Sequence, residues 1–385
     1  MQTPLMILSD SASLKTGLGR ITRELAAHLV SMPEYRVATL GRGGLGSRAV
    51  SSMQYTFPEV GGGWGETAIE QAWRDFAGKQ KGILFTINDA SRLAWLAHPD
   101  ERMGALYDFL MSKPFKRVGY FPIDSSGPGD KLTRAASATI AGFDTALAYT
   151  AWGAQVIERS IGRAVDWIPH GYNGDVFVPR DKQAARIAMG VDEDELLIAV
   201  NMTNQERKDW GLCFSSVAGL KQKRSLKLWL HVDVLERHWS IPALAQDFGL
   251  AGDIILTFAG SKTDTELSYY YSAADLTILP SLGEGFGFPI VESLACGTPC
   301  IHGDYGGGAE LIPNTSWLVH PQSWRLDTPH NLLRPVFEPG DWIDAIDRVL
   351  DTEPSREECT SAVSHLKWAN LWPGAWKKFF EELAA

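Results

Sequence analysis

Cysteine is scarce in this chain, long apolar runs are absent, and there is no surplus of basic charge. The four cysteines in 385 residues, Cys213, Cys296, Cys300 and Cys359, are too few and too scattered for a disulfide framework. Cys296 and Cys300 are separated by three residues and have no His-Cys pair nearby to complete a metal set, so all four read as buried thiols and no metal is expected. No apolar run approaches the roughly 20 residues needed to cross a bilayer, so no integral membrane segment is expected. The opening MQTPLMILSD has no basic region and reads as a first strand, not a leader, which sets the expectation of a cytoplasmic protein. Basic residues number 36 against 46 acidic ones, and the deficit is uneven. Residues 1–175 carry 18 basic against 17 acidic, while the remainder carries 18 against 29. A protein gripping nucleic acid through many phosphates shows a basic face. As a whole this chain does not, although its near-neutral first half leaves the question open.

What is present is ordinary globular material, 45 % hydrophobic and 21 % charged. The length exceeds one ordinary core and suits two domains. Nothing in the pattern sets an oligomeric state.

The most informative stretch is LPSLGEGFGFPIVESLACGTPCI, Leu279 to Ile301. A short apolar strand runs into a glycine-rich loop, and Pro289 sits where a helix begins, its fixed φ suited to the first turn. Gly297 is the expected stop. Gly285, Phe286, Gly287 and Phe288 then lie beside a helix N-terminus, whose dipole and unpaired donors favour a phosphate. Glu284 precedes these donors and Glu292 follows eight residues later. A carboxylate accepts protons from neighbouring hydroxyls. The arrangement reads as one acid for a transferred sugar, amides for a diphosphate and one acid for a ribose.

EGFGFPIVE resembles the E-x7-E element of retaining glycosyltransferases of the family-four group, which have the GT-B fold. ACGTPC and the downstream GGGAEL follow in that family's order. The resemblance implies an α/β protein of two Rossmann-like domains facing a central cleft. Residues 1–175 would bind the acceptor, with a C-terminal helix of about 363–385 packing back on them. Residues 176–362 would bind a nucleoside-diphosphate sugar.

Along the first half, residues 5–8 form a strand, and Leu18, Ile21, Leu25 and Leu29 fall at helical spacing in a helix that opens just after Gly17 and Gly19. In the resembled family this loop lies against donor phosphates; an ordinary strand-to-helix turn is the alternative. Gly41 to Gly65 reads as a loop region in which Tyr55, Phe57 and Trp64 are acceptor contacts or packing groups. GILFTIND and KRVGYFPIDSS are strands followed by polar loops, which places Asn88, Asp89 and Asp124 on the rim where doubly wound sheets bind ligands. Where the family places a His or acid near the transferred sugar, this chain has Pro122, leaving Asp124 for that part; Asp124 serving the next turn is the other reading. DWIPHGYNGDVFVP resembles the family's interdomain link, so His170 is either a base or a hinge residue.

In the second half, a helix spans Lys182 to Met189. Asp192-Glu193-Asp194 contains a literal D-x-D, but it precedes strand Leu196–Val200 and reads as a solvated turn at the wrong end of the sheet. After the strand come Asn201, Thr203, Arg207 and Lys208, where cations would neutralise a leaving diphosphate. Lys208 matches the family's Lys; the Arg usual near Asn201 or Met202 is missing, with Arg207 in reserve. Gly260 and Ser261 fall near the nucleotide base, and Glu310 touches the ribose side or caps a helix. In WKKFFEEL, Trp376, Phe379 and Phe380 share one side.

The resulting expectation is a transferase moving a hexose from a nucleoside-diphosphate sugar, UDP-linked first of all, with retention and without metal or other cofactor. The acceptor is a glycan, a lipid-linked saccharide or a small molecule. A hydroxymethylated base in DNA and a sugar-nucleotide-binding protein without catalysis are the alternatives.

Overall fold

The computed structural model describes residues 2–43, 55–59, 61–327 and 330–384. They form two compact units, Met1–His170 with Trp372–Ala385, and Gly171–Leu371. The chain divides at His170 and Leu371, where the sequence-based boundaries lie at 175 and 362.

The first unit is built on seven parallel strands: β1 (Thr3–Asp10), β2 (Tyr35–Arg42), β3 (Tyr55–Glu59), β4 (Gly82–Ile87), β5 (Phe115–Phe121), β6 (Thr145–Ala148) and β7 (Asp166–Trp167). Their spatial order is β3-β2-β1-β4-β5-β6-β7. Central strands of such a sheet are covered on both faces and so read as continuous apolar runs. Leu5 to Leu8 of β1 are all buried. The strand order reverses between β1 and β4, and the rim at their carboxyl ends carries Asp10, Asn88 and Asp89.

The helix after β1 spans Gly17–Leu29 and buries Ile21, Leu25 and Leu29. Gly17 and Gly19 lie inside its first turn, one step from the expected place ahead of it. The Thr16 hydroxyl caps the helix by accepting the Gly19 N–H at 3.0 Å. A Cβ on Gly19 would meet the Ser11 carbonyl oxygen at 2.7 Å, so close packing is what this glycine permits. The expected loop from Gly41 to Gly65 is corrected in part: β2 runs to Arg42 and Tyr55–Glu59 is a strand parallel to it. Tyr55 and Phe57 pack, partly buried, on the core. Residues 44–54 of that stretch lie outside the described residues. ASRLAWLA forms a 3-10 turn, Ala90–Arg92, and a short helix, Ala94–Ala97.

The tail belongs to the first unit. After a π-turn at Trp372–Trp376, the helix Lys377–Ala384 places Phe380 in the core, whereas Phe379 is half-buried. The Trp376 indole N–H donates to the Pro169 carbonyl at 3.0 Å, and the Tyr35 hydroxyl donates to the Phe380 carbonyl at 2.5 Å.

The second unit has six parallel strands, β8 (Leu196–Asn201), β9 (Leu226–Val232), β10 (Ile254–Phe258), β11 (Leu276–Leu279), β12 (Cys300–Gly303) and β13 (Leu318–Val319). Their order is β10-β9-β8-β11-β12-β13, so the reversal falls between β8 and β11. A separate antiparallel hairpin, β14 (Ser323–Leu326) and β15 (Leu333–Val336), follows. Asp192–Asp194 lies in the turn leading into β8, at the amino end of the sheet. All four cysteines are buried and free. No helix is long and apolar enough to cross a membrane among the described residues.

Trp376 is fully buried, so Trp376→Ala should destabilise the first unit by about 3–5 kcal/mol. Chemical denaturation checks this; a loss under about 1 kcal/mol would show that the tail is not part of that core.

Candidate active site

The two loops that leave β8 and β11 meet at the switch point of the second sheet, where open α/β sheets hold ligands. They are tied by backbone: Asp209 N–H donates to the Pro280 carbonyl at 3.0 Å and Leu282 N–H to the Arg207 carbonyl at 2.8 Å. Side chains complete the join. Lys208 Nζ donates to Glu284 Oε1, and both residues are only 6 % exposed. Arg207 Nη1 stands 3.4 Å from Glu284 Oε2 and donates to the Gly283 carbonyl at 2.6 Å. A carboxylate this far from water needs such partners. The acid expected to read a sugar is thus held by the cations expected to hold a diphosphate.

Beyond Glu284 the chain turns through Gly285, Phe286 and Gly287 into the helix Phe288–Ala295. Gly287 has φ 107°, a left-handed conformation that glycine adopts without cost. Pro289 is the second helical residue, where its missing N–H breaks no bond. Among the described residues the amides of Gly285 and Gly287 meet no hydrogen-bond acceptor. Phe286 and Phe288 place their rings 5.5 Å apart, nearly perpendicular.

Glu292, 4 % exposed, lies on that helix and accepts the Tyr271 hydroxyl at 2.9 Å. The Tyr271 oxygen in turn accepts the Asn201 side-chain amide at 2.8 Å. Burial first, then Glu292, raises the Tyr271 pKa well above its ordinary value, so the phenol stays a donor. The chain Asn201, Tyr271, Glu292 orients the carboxylate. Thr203 is exposed in the loop after β8. Gly260 lies in a turn after β10, an edge strand of the sheet. Glu310 is exposed in a 3-10 turn, Ala309–Leu311, rather than at the cap of an α-helix.

The remaining candidates belong to the first unit. Gly17 and Gly19 follow β1, Asp89 follows β4 and Asp124 is half-buried after β5. Asp89 pairs with Arg92 at 3.1 Å. His170 is 1 % exposed, in hydrogen-bond contact with the Tyr120 hydroxyl at 2.9 Å and edge-on to Tyr149. Burial, and then the Arg20 charge, push its pKa well below the ordinary value. A group that is neutral and enclosed in this way serves packing better than proton transfer in the free protein.

Arg334 and His302 of the second unit, like Tyr271, escaped the sequence reading. Arg334 of β15 pairs with Asp327 at 2.7 Å and donates to the Leu282 carbonyl at 3.3 Å, so the hairpin supports the loop carrying Glu284. His302 of β12 is fully buried with Nδ1 2.9 Å from the Leu279 carbonyl. A carbonyl only accepts, so Nδ1 carries the proton and Nε2 is left as an acceptor. Nε2 has no hydrogen-bond partner among the described residues. Burial, with Lys208 as a smaller cause, pushes the His302 pKa down to about 4. A polar residue inside the apolar run CIHG was its one signal; Arg334 had none.

No group of three or more His, Cys, Asp or Glu suited to a metal occurs among the described residues.

Two parallel sheets, each with one reversal of strand order, make this a two-domain Rossmann-like α/β protein. Residues 181–364, just under half of the chain, match the family model described as Glycosyl transferases group 1. Over those residues the chain resembles that family, and its fold is GT-B. It is 31 % identical over 187 residues to the D-inositol 3-phosphate glycosyltransferase of Mycobacteroides abscessus, covering 48 % of this chain and 39 % of that protein. With the same enzyme of Mycolicibacterium smegmatis it shares 29 % identity over 209 residues, 54 % of this chain and 45 % of the relative. The match thus spans less than half the length of these curated relatives. Among solved structures, sucrose-phosphate synthase of Thermosynechococcus elongatus superposes with a TM-score of 0.76 at 17 % identity, over 100 % of both chains. Anabaena HepE in complex with UDP and glucose superposes with a TM-score of 0.72 at 14 % identity, over 99 % of this chain and 100 % of that one. At such identities the likeness concerns the fold.

Lys208→Met strands the buried Glu284 carboxylate with Arg207 alone and should cost up to about 3–5 kcal/mol, most of it recovered on adding Glu284→Gln. Urea unfolding of both variants tests this; a single variant as stable as the parent would refute the buried pair. Gly308→Ala would place a Cβ 2.6 Å from His302 Nε2 and 3.1 Å from Glu284 Cβ. Overpacking of about 1–3 kcal/mol is expected, read as a lowered unfolding midpoint.

Proposed function

We propose that the protein is a retaining glycosyltransferase moving a hexose from a nucleoside-diphosphate sugar, with UDP as the first nucleotide to try, to an acceptor hydroxyl without a metal ion. The observation that carries this reading is the gathering of Lys208, Arg207 and Glu284 at the switch point, beside the amides of Gly285 and Gly287. Two side-chain cations and a helix N-terminus would do for the diphosphate what a divalent ion does elsewhere. The UDP and glucose held by HepE support the choice of donor, and the names of the curated relatives support glycosyl transfer.

Bound donor would place its diphosphate on the amides, Lys208 and Arg207, and its sugar hydroxyls on Glu284. Glu292, oriented by Tyr271, would accept from the ribose. As the bond from the anomeric carbon to the phosphate oxygen breaks, its electron pair stays on the diphosphate, which the cations stabilise. The acceptor oxygen bonds to the anomeric carbon from the same face and passes its proton to the departing phosphate oxygen. Configuration is thereby retained without a glycosyl-enzyme. Asp124 serves the acceptor side, and His170 is assigned a hinge role.

The test is a panel of nucleoside-diphosphate sugars with released nucleoside diphosphate measured in chelator. Release with one donor, abolished by Glu284→Ala, is expected; no release and no thermal stabilisation by any donor refutes the proposal. Glu292→Ala should weaken donor binding about 10- to 100-fold, the loss of a charge-assisted hydrogen bond. Unchanged affinity would remove the ribose role.

A further inference from the structure

The rim of the first unit holds a cation that the proposed reaction does not use. Arg42 ends β2, and its guanidinium carbon lies 3.8 Å from the centroid of the Trp64 ring. The guanidinium carbon of Arg92, just past β4, lies 4.0 Å from a centroid of the same side chain. Two like charges therefore share one indole. Arg92 is balanced by Asp89 at 3.1 Å and also donates to Asn88 Oδ1 at 3.2 Å. Asp10, in register beside Arg42 on β1, accepts the Thr16 hydroxyl at 2.7 Å, and Glu66 accepts the Trp64 N–H at 2.6 Å. Arg42 has no carboxylate within ion-pair distance among the described residues. Residues 44–54, which follow it, contain no Asp or Glu.

Stacking holds a guanidinium by its face and leaves its N–H donors directed outward in the plane, the form in which arginine takes an oxyanion bidentately. Arg42, Trp64 and Arg92 are all half-buried, so this fork opens to solvent. It stands beside β1, on the rim where a doubly wound sheet binds its ligand. The same rim holds acceptor groups for hydroxyls in Asp10 and Asp89. The Tyr149 hydroxyl is buried, lies in the field of both acids and of Arg92, and has no hydrogen-bond partner among the described residues.

We propose that Arg42, seated on Trp64, binds an anionic substituent of the acceptor, so that the acceptor is an acidic polyol such as a sugar phosphate or a uronic acid. This rests on the glycosyltransferase reading above. Phosphate and carboxylate offer the fork the same pair of oxygens, and the experiment separates them.

Hexose 6-phosphates, hexuronic acids and the parent neutral hexoses are offered as acceptors with the donor that the panel selects. Binding of each is also measured directly by calorimetry. An acidic acceptor should be preferred over its neutral parent by about tenfold or more in kcat/KM, the scale of one charge-assisted contact. Arg42→Gln should abolish that preference by raising the acceptor KM about 10- to 100-fold. Arg42→Lys, which keeps the charge without the fork, should recover part of it. Release of nucleoside diphosphate without acceptor reports that each variant is folded. The better acid class identifies the anion. Neutral acceptors used as well as acidic ones, a preference that survives Arg42→Gln, or no binding of either acid overturns the inference. A native protein that releases nothing from any donor defeats the function reading instead.

Discussion

A carboxylate withdrawn from water has to be compensated, and Glu284 is such a group. Its burial is tolerable because Lys208 and Arg207 converge on it from the loop after a different strand, so the two loops of the switch point cannot be placed independently. The backbone bonds from Asp209 to Pro280 and from Leu282 to Arg207 have the same effect. Around them, Arg334 holds the Leu282 carbonyl and His302 the Leu279 carbonyl. Much of the second unit between β8 and β15 can be read as support for the position of one acid.

That acid was legible because its surroundings are written locally. Glycines on either side of it, a proline at the helix start and a second glutamate one turn in all fall within a dozen residues, and each carries a backbone reason. Lys208 and Arg207 were legible because cations after a strand fall at a predictable rim. Tyr271, His302 and Arg334 were not, since each reaches the site from its own element and only the finished sheet brings them near. Tyr271 was one of three tyrosines in a row, with nothing local to mark which would face Glu292. In the first unit, β3 was missed because a five-residue strand beside glycines and serines has too few alternations to show a period. Gly17 and Gly19, expected just ahead of the helix, lie in its first turn, where Gly19 also permits close packing against the Ser11 carbonyl.

The two sheets use charge differently. In the second unit the ionic groups at the rim are enclosed and mutually paired, so dissolved salt screens them little. At the first unit's rim Arg42, Arg92 and Asp89 remain partly in water, where screening and desolvation are both modest. Buried pairing holds geometry; exposed cations admit exchangeable partners.

The return of Trp372–Ala384 to the first unit orders events during synthesis. The stretch Gly171–Leu371 is contiguous, so its sheet and helices can close as soon as they have left the ribosome. The first unit, although made earlier, lacks Trp376 and Phe380 until the whole of Gly171–Leu371 has been translated. A nascent chain therefore carries an incomplete apolar core around Phe85 and Tyr120 through most of its elongation, a window in which chaperone occupancy would concentrate on the amino-terminal third.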